Sequence, residues 1–188
     1  MAIRILGICG SMKPGSSTAA VLHMALRAGA SVGAETDFYD ISEQPLPFCD
    51  GRSEESSYPQ EVHMFKELVK NAHGIIIATP DYHNSFTGAL KNAIDLCGFD
   101  EFEHKMVGII GVSGGSMGAG NAISHLRGVM RGVGAWVVPH QVSISNSGKM
   151  FSGPDQLADP MLEKRLLKLG KDVVRYANLF AGGLLEEE

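Results

Sequence analysis

Short unbroken apolar runs alternate with longer amphipathic stretches along the chain. Residues 3–9 (IRILGIC) are compact and apolar and stop at Gly10, which predicts a strand. Val21, Met24, Ala25 and Ala28 then recur at helical spacing and predict a helix over 17–30. A second strand is expected over 36–41 and a helix over 60–71. Residues 74–79 (GIIIAT) read as a strand buried on both faces. Pro80 ends that strand, and a helix is expected from 87 to 96. Residues 106–112 (MVGIIGV) form the fourth predicted strand, 121–131 the next helix and 136–144 the fifth strand. A last helix over 159–180 carries Leu162, Leu166, Leu169, Val173, Tyr176 and Phe180 at intervals of three or four.

A helix after each strand predicts an α/β fold with a parallel sheet, right-handed crossovers and helices on both faces. No repeat or linker interrupts the pattern, so one domain over 1–188 is expected. In such a sheet ligands sit beyond the carboxyl ends of the strands. That singles out the loops 10–18, 79–88 and 113–120. The Pro/Ser/Glu-rich stretch 42–59 is long for a connection, hence either functional or an interface element. Its apolar Phe48 and Pro45–Pro47 turn predict a homodimer or homotetramer, with the helix from Thr87 as partner surface.

Composition narrows the function class. Of 188 residues 23 are Gly, about 12% against a usual ~7%, and they gather in short loops as tight turns or close backbone approaches to a ligand would require. A net charge of −5 without a basic stripe argues against nucleic acid. Cys9, Cys49 and Cys97 form no CxxC pair and suit a reducing cytosol; Cys9 and Cys97, in a strand and at a helix end, read as buried, inert thiols. No apolar run is long enough to span a membrane and no leader is recognisable, so a cytoplasmic, soluble protein is expected. No HExxH or Cys/His cluster suggests a metal, and no GxSxG elbow suggests an esterase.

The three loops carry the chemistry. Loop one, Gly10 to Thr18, combines helix-start amides with the hydroxyls of Ser11, Ser16, Ser17 and Thr18 and the cation of Lys13, a set suited to a phosphate dianion. Residues 1–34 hold Arg4, Lys13 and Arg27 and no acid, a positive segment in a negative chain. Ser16 stands where a Walker A lysine belongs, which argues against a nucleoside triphosphate–Mg²⁺ site. A helix cap alone needs one hydroxyl, not four. Loop two (TPDYHNSFTG) offers Tyr82, His83 and amide groups to a flat conjugated ring. Loop three (SGGSMGAG) has four glycines, which let backbone approach a ligand edge; the plainer alternative is a loose connection. Lys91 and Asp95 read as an i,i+4 surface pair.

With GSMKPGSST (10–18) and TPDYHNSFTGALKNAID (79–95) in view, and HLRGVMRGVGAWVVPHQVSI (125–144) in support, the chain resembles the NADPH-dependent FMN reductase family of flavodoxin-like proteins over roughly 3–145. Lys13, Thr18, Asp81, His83 and Thr87 stand where that family more often has Arg, Asn, Glu, Asn and Pro. The resemblance implies a flavodoxin-like three-layer sandwich with a five-stranded sheet of order 2-1-3-4-5, FMN as cofactor and NADPH or NADH as co-substrate. It places Ser11, Lys13, Ser16, Ser17 and Thr18 at the FMN phosphate, and Pro80, Asp81, Tyr82, His83, Asn84, Ser113, Gly114 and Gly115 at the flavin ring.

The expected activity passes a hydride from NAD(P)H to FMN and electrons on to a quinone, azo compound, metal oxyanion or free flavin, by a ping-pong mechanism. A flavodoxin-type carrier and a non-catalytic flavin-binding module are the alternatives. The flavin carries the chemistry, so no catalytic side chain is required. His83 is the imidazole within these loops, with ring packing or solvation as its expected role and proton donation to a reduced quinone as the alternative.

Overall fold

The structure, a computed structural model, describes residues 2–182 apart from 53, 154 and 155. In chain order it begins β1 (Arg4–Cys9), α1 (Ser17–Ala30), β2 (Glu35–Asp40), α2 (Gln60–Asn71), β3 (Gly74–Pro80) and α3 (Gly88–Asp95). A four-residue helix α4 (Phe99–Phe102), β4 (Met106–Val112) and α5 (Gly120–Gly132) follow. The short strands β5 (Trp136–Val137) and β6 (Val142–Ile144), a small antiparallel pair β7 (Phe151–Gly153) and β8 (Gln156–Leu157), and α6 (Pro160–Ala181) complete it. The main sheet is parallel and ordered β2-β1-β3-β4-β5, with β6 also on β4.

Alternation along the strands explains the layers. Ile5 and Cys9 of β1 and Ile76 and Ala78 of β3 face α1 and α6, while Leu6, Ile8, Ile75 and Ile77 point the other way, toward α2, α3 and α5. Every residue of β3 and β4 is buried, as runs covered on both faces must be. The strand glycines admit the helices: a Cβ on Gly7 would lie 2.6 Å from Leu26 Cδ1 and one on Gly108 2.7 Å from Val173 Cγ2. Helix α6 starts where Asp159 accepts the Met161 and Leu162 amides at 2.8 and 3.2 Å, with Pro160 at the first helical position. Among the described residues no helix is long and apolar enough to cross a membrane.

The fifth strand, expected as one piece over 136–144, is two. β5 pairs with Met106 and Val107, β6 with Ile110 to Val112, and the ladder lapses around Pro139, which has no N–H to give. The gap is filled by side chains. Arg127 Nη1 donates to Val138 O at 3.2 Å and Gln141 Oε1 at 3.1 Å, and Arg165 Nη2 donates to Gln141 O at 3.2 Å.

Candidate functional site

Strand register brings the three loops to one place. Cys9 lies opposite Ala78, and Pro80 opposite Val112, so β1, β3 and β4 end side by side. The ladder runs one residue further at each exit: Gly10 N–H donates to Ala78 O (2.8 Å), Asp81 N–H to Val112 O (2.7 Å) and Ser113 N–H to Ile144 O (2.8 Å).

Loop one wraps the amino end of α1. Ser16 is the cap, its hydroxyl accepting from Ala19 N–H at 3.1 Å, so capping takes one hydroxyl of the four. Ser11 is buried and accepts the Lys13 N–H at 3.2 Å; Thr18 is buried, Ser17 half-buried and Lys13 exposed. Gly15 turns the chain at φ +60, a conformation that suits glycine. Beneath the loop, burial pushes the Cys9 thiol up to about 11, opposed by hydrogen bonding with the Ser11 backbone and reinforced by Asp40, with Ser16 also opposing it. Asp40 itself turns toward Ser42, accepting from its N–H and hydroxyl at 2.8 and 2.7 Å.

Loop two is a tight hairpin. Tyr82 and Ser85 exchange backbone hydrogen bonds at 2.9 and 3.2 Å, and the two residues between them, His83 and Asn84, have φ of 54 and 65, the pattern of a type I′ turn. Asp81 carboxylate accepts the Asn84 N–H at 3.0 Å and holds the turn closed. Tyr82, His83 and Asn84 are therefore presented at an exposed tip, with Tyr82 55% exposed. Pro80 is buried at the end of β3.

Loop three is fastened rather than loose. Asn146 N–H donates to Gly115 O (3.0 Å), Ser147 N–H to Ser113 O (3.0 Å), and Ala119 N–H to the Ser143 hydroxyl (2.8 Å). A Cβ at Gly114 would meet nothing within 4 Å, and one at Gly115 only Ser113 Oγ at 3.7 Å, so this backbone lies open to a ligand edge. The loops thus offer a helix start with hydroxyls and a cation, an exposed aromatic hairpin and a bare glycine backbone along one sheet edge.

The family model for NADPH-dependent FMN reductases matches residues 3–149. The chain belongs to this family. An FMN-dependent NADPH-azoreductase of Staphylococcus haemolyticus is 32% identical over 91% of the chain and 93% of its own length. An NADPH azoreductase of Bacillus sp. is 41% identical over 57% of the chain and 60% of its own length. In fold the chain is similar to a flavoenzyme NAD(P)H:(acceptor) oxidoreductase from Paracoccus denitrificans (TM-score 0.77, 18% identity, 95% of this chain and 98% of that one). It is also similar to an archaeal flavodoxin (TM-score 0.64, 11% identity, 94% and 99%). The architecture is flavodoxin-like, and as an NADPH-dependent FMN reductase the protein is an oxidoreductase that uses FMN and NAD(P)H.

The three loops that carry the thirteen residues singled out from the sequence of this FMN reductase leave neighbouring strand ends, and the structure adds other residues that join those loops. Thr87 is buried; its hydroxyl donates to Gly10 O at 2.6 Å and accepts the Leu90 N–H at 3.2 Å, while its own N–H reaches Thr79 Oγ1 at 3.3 Å. One side chain thus caps α3 and ties loop two to loop one. Ser143 caps no helix, but by accepting the Ala119 N–H it ties the end of loop three to β6, and His125 Nδ1 sits 3.2 Å from Ser85 Oγ, joining α5 to the hairpin. Lys91 and Asp95 form the expected surface pair at 2.6 Å. Among the described residues no cluster of His, Cys, Asp and Glu could hold a metal.

Proposed function

We propose that the chain acts as one FMN-binding domain, with the FMN phosphate held at the amino end of α1 by Ser11, Lys13, Ser16, Ser17 and Thr18. The isoalloxazine ring lies between Pro80, Asp81, Tyr82, His83 and Asn84 on one side and Ser113, Gly114 and Gly115 on the other. The observation that carries this is the meeting of the three loops where β1, β3 and β4 end. Bound FMN supplies the hydride and electron chemistry, between NAD(P)H and a small conjugated acceptor. Relatives named as azoreductases favour an azo compound as that acceptor; quinones, metal oxyanions and free flavin belong to the same assay. The protein's own task is to hold the ring, screen one face and leave the other accessible beside the exposed Tyr82.

Steady-state NADPH oxidation by the FMN-loaded protein with an azo dye tests the activity, and a rate at buffer background would remove it. No second dinucleotide fingerprint is present, so NAD(P)H and acceptor share the open face in turn. Double-reciprocal lines at varied acceptor are therefore expected to be parallel. His83→Gln is expected to lower the acceptor kcat by less than about tenfold, under ~1.4 kcal/mol of barrier, because water reaches an exposed turn. A loss of two decades with flavin reduction intact would make His83 the proton donor instead.

Ser11→Ala and Thr18→Val are each expected to weaken FMN by about 1–3 kcal/mol, roughly 5- to 150-fold, with riboflavin binding unchanged because it lacks the phosphate. Fluorescence titration with both flavins checks this; equal losses for the two would move the phosphate elsewhere.

The same proposal extends to assembly and location: a cytoplasmic homodimer or homotetramer. Phe48 is 85% exposed, and the segment that bears it is held against α3, where Asn92 accepts the Cys49 N–H (2.8 Å) and donates to Pro47 O (2.9 Å). A large apolar ring kept in a fixed position at the surface supports a contact between copies.

A further inference from the structure

Away from the loops, a cavity of about 660 Å³ opens between the 42–59 segment, α2 and the end of α3, and two of the three cysteines line it. All three are thiols. Cys9 is buried under loop one, in surroundings that keep it protonated. Cys49 is exposed. Cys97, expected from the sequence to be buried and inert, is half-buried, because α3 ends at Asp95 and leaves it on the short turn before α4. Cys49 Sγ donates to Asp95 O at 3.3 Å, two residues short of Cys97, and the Cys49 N–H is held by Asn92 of the same helix. Tyr58 Oη lies 4.0 Å from Cys49 Sγ. Two hydrogen bonds therefore hold an exposed thiol against the very turn that carries a second one.

We propose that Cys49 and Cys97 are a reversible dithiol–disulfide pair, oxidised by peroxide. The Cys49 thiolate attacks one peroxide oxygen; the O–O bond breaks, the departing hydroxide is protonated to water, and Cys49 becomes a sulfenic acid. Cys97 sulfur then attacks that sulfur, forming the S–S bond and expelling the hydroxyl, which leaves with the Cys97 proton as a second water. Two thiols lose two electrons and hydrogen peroxide gains them. The bond would staple the Phe48-bearing segment to the end of α3, and a thiol reductant would release it.

The test uses the full chain with FMN, exposed to hydrogen peroxide and then alkylated. The expected product is monomer lighter by two hydrogens, in which trypsin leaves the peptide ending at Arg52 joined to the peptide ending at Lys105. Dithiothreitol should reverse it. Cys97→Ser should leave a dimedone-reactive Cys49 with no internal link, and Cys49→Ser should leave Cys97 open to alkylation. Links between copies through Cys49, an oxidised Cys49 beside unmodified Cys97 in the parent, or no loss of thiols at all would each overturn the pairing.

Discussion

Gly170→Ala is expected to lower the thermal midpoint by roughly 6–12 °C, the equivalent of about 3 kcal/mol in a chain of this size. A Cβ at Gly170 would stand 2.1 Å from Ala25 O and 3.0 Å from Ala25 C. Neither atom belongs to a side chain that can swing aside. Relief requires α1 and α6 to part, and both pack on the same apolar layer, where Ala25, Leu22, Leu169 and Val173 are fully buried. Separating the helices strips contacts from that layer besides removing the clash. Because α1 also begins at loop one, FMN should be lost earlier in the melt than it is from the parent. A midpoint within about 2 °C of the parent would mean that the two helices have slack where the structure shows none.

Thr87→Val is the second large effect, expected to cost about 2–4 kcal/mol in stability and to weaken FMN binding as well. Valine keeps the branched shape but cannot donate to Gly10 O or accept from Leu90 N–H, so two partners in a buried corner lose their hydrogen bonds. Gly10 has little room to adjust, since a Cβ there would already sit 3.0 Å from Leu90 Cβ. Loosening the strut frees loop one from loop two, the two loops proposed to hold the phosphate and ring of FMN. Thr87→Ser should restore most of the loss. Chemical unfolding alongside FMN titration separates the outcomes: reduced stability with unchanged FMN affinity would make Thr87 a helix cap only.

These struts also show where reading the chain stops short. Buried runs such as GIIIAT and MVGIIGV declare a two-faced parallel sheet locally, and α6 declares its face by spacing, so the order of elements follows from patterns a few residues long. The bonds that shape the site are not local. Thr87 to Gly10 spans 77 positions, Ser85 to His125 spans 40 and Ser143 to Ala119 spans 24, and nothing in the neighbourhood of either partner announces the other. The His83–Asn84 turn was hidden for a different reason: its backbone usually takes Asn-Gly, and here a histidine occupies a left-handed position. Pro139, by contrast, was a visible signal that an edge strand breaks, outweighed by the apolar residues around it. The half-buried state of Cys97 follows from where α3 stops, and helix ends are the least legible part of any pattern.

The lapse at Pro139 has its own outcome for how copies of this protein can meet. An open sheet has two margins, and each is a template on which a foreign strand can nucleate an aggregate. Here one margin is cut into pieces of two and three residues, with guanidinium groups on the carbonyls of Val138 and Gln141. The other margin, β2, begins with exposed Glu35 and half-buried Asp37, the latter 3.4 Å from Arg4. Charge on one side and interruption on the other deny a newcomer the long, flat run of free amides and carbonyls that stacking into fibrils demands. Association is thereby steered away from backbone pairing and toward side-chain surfaces, where it can be specific and can stop.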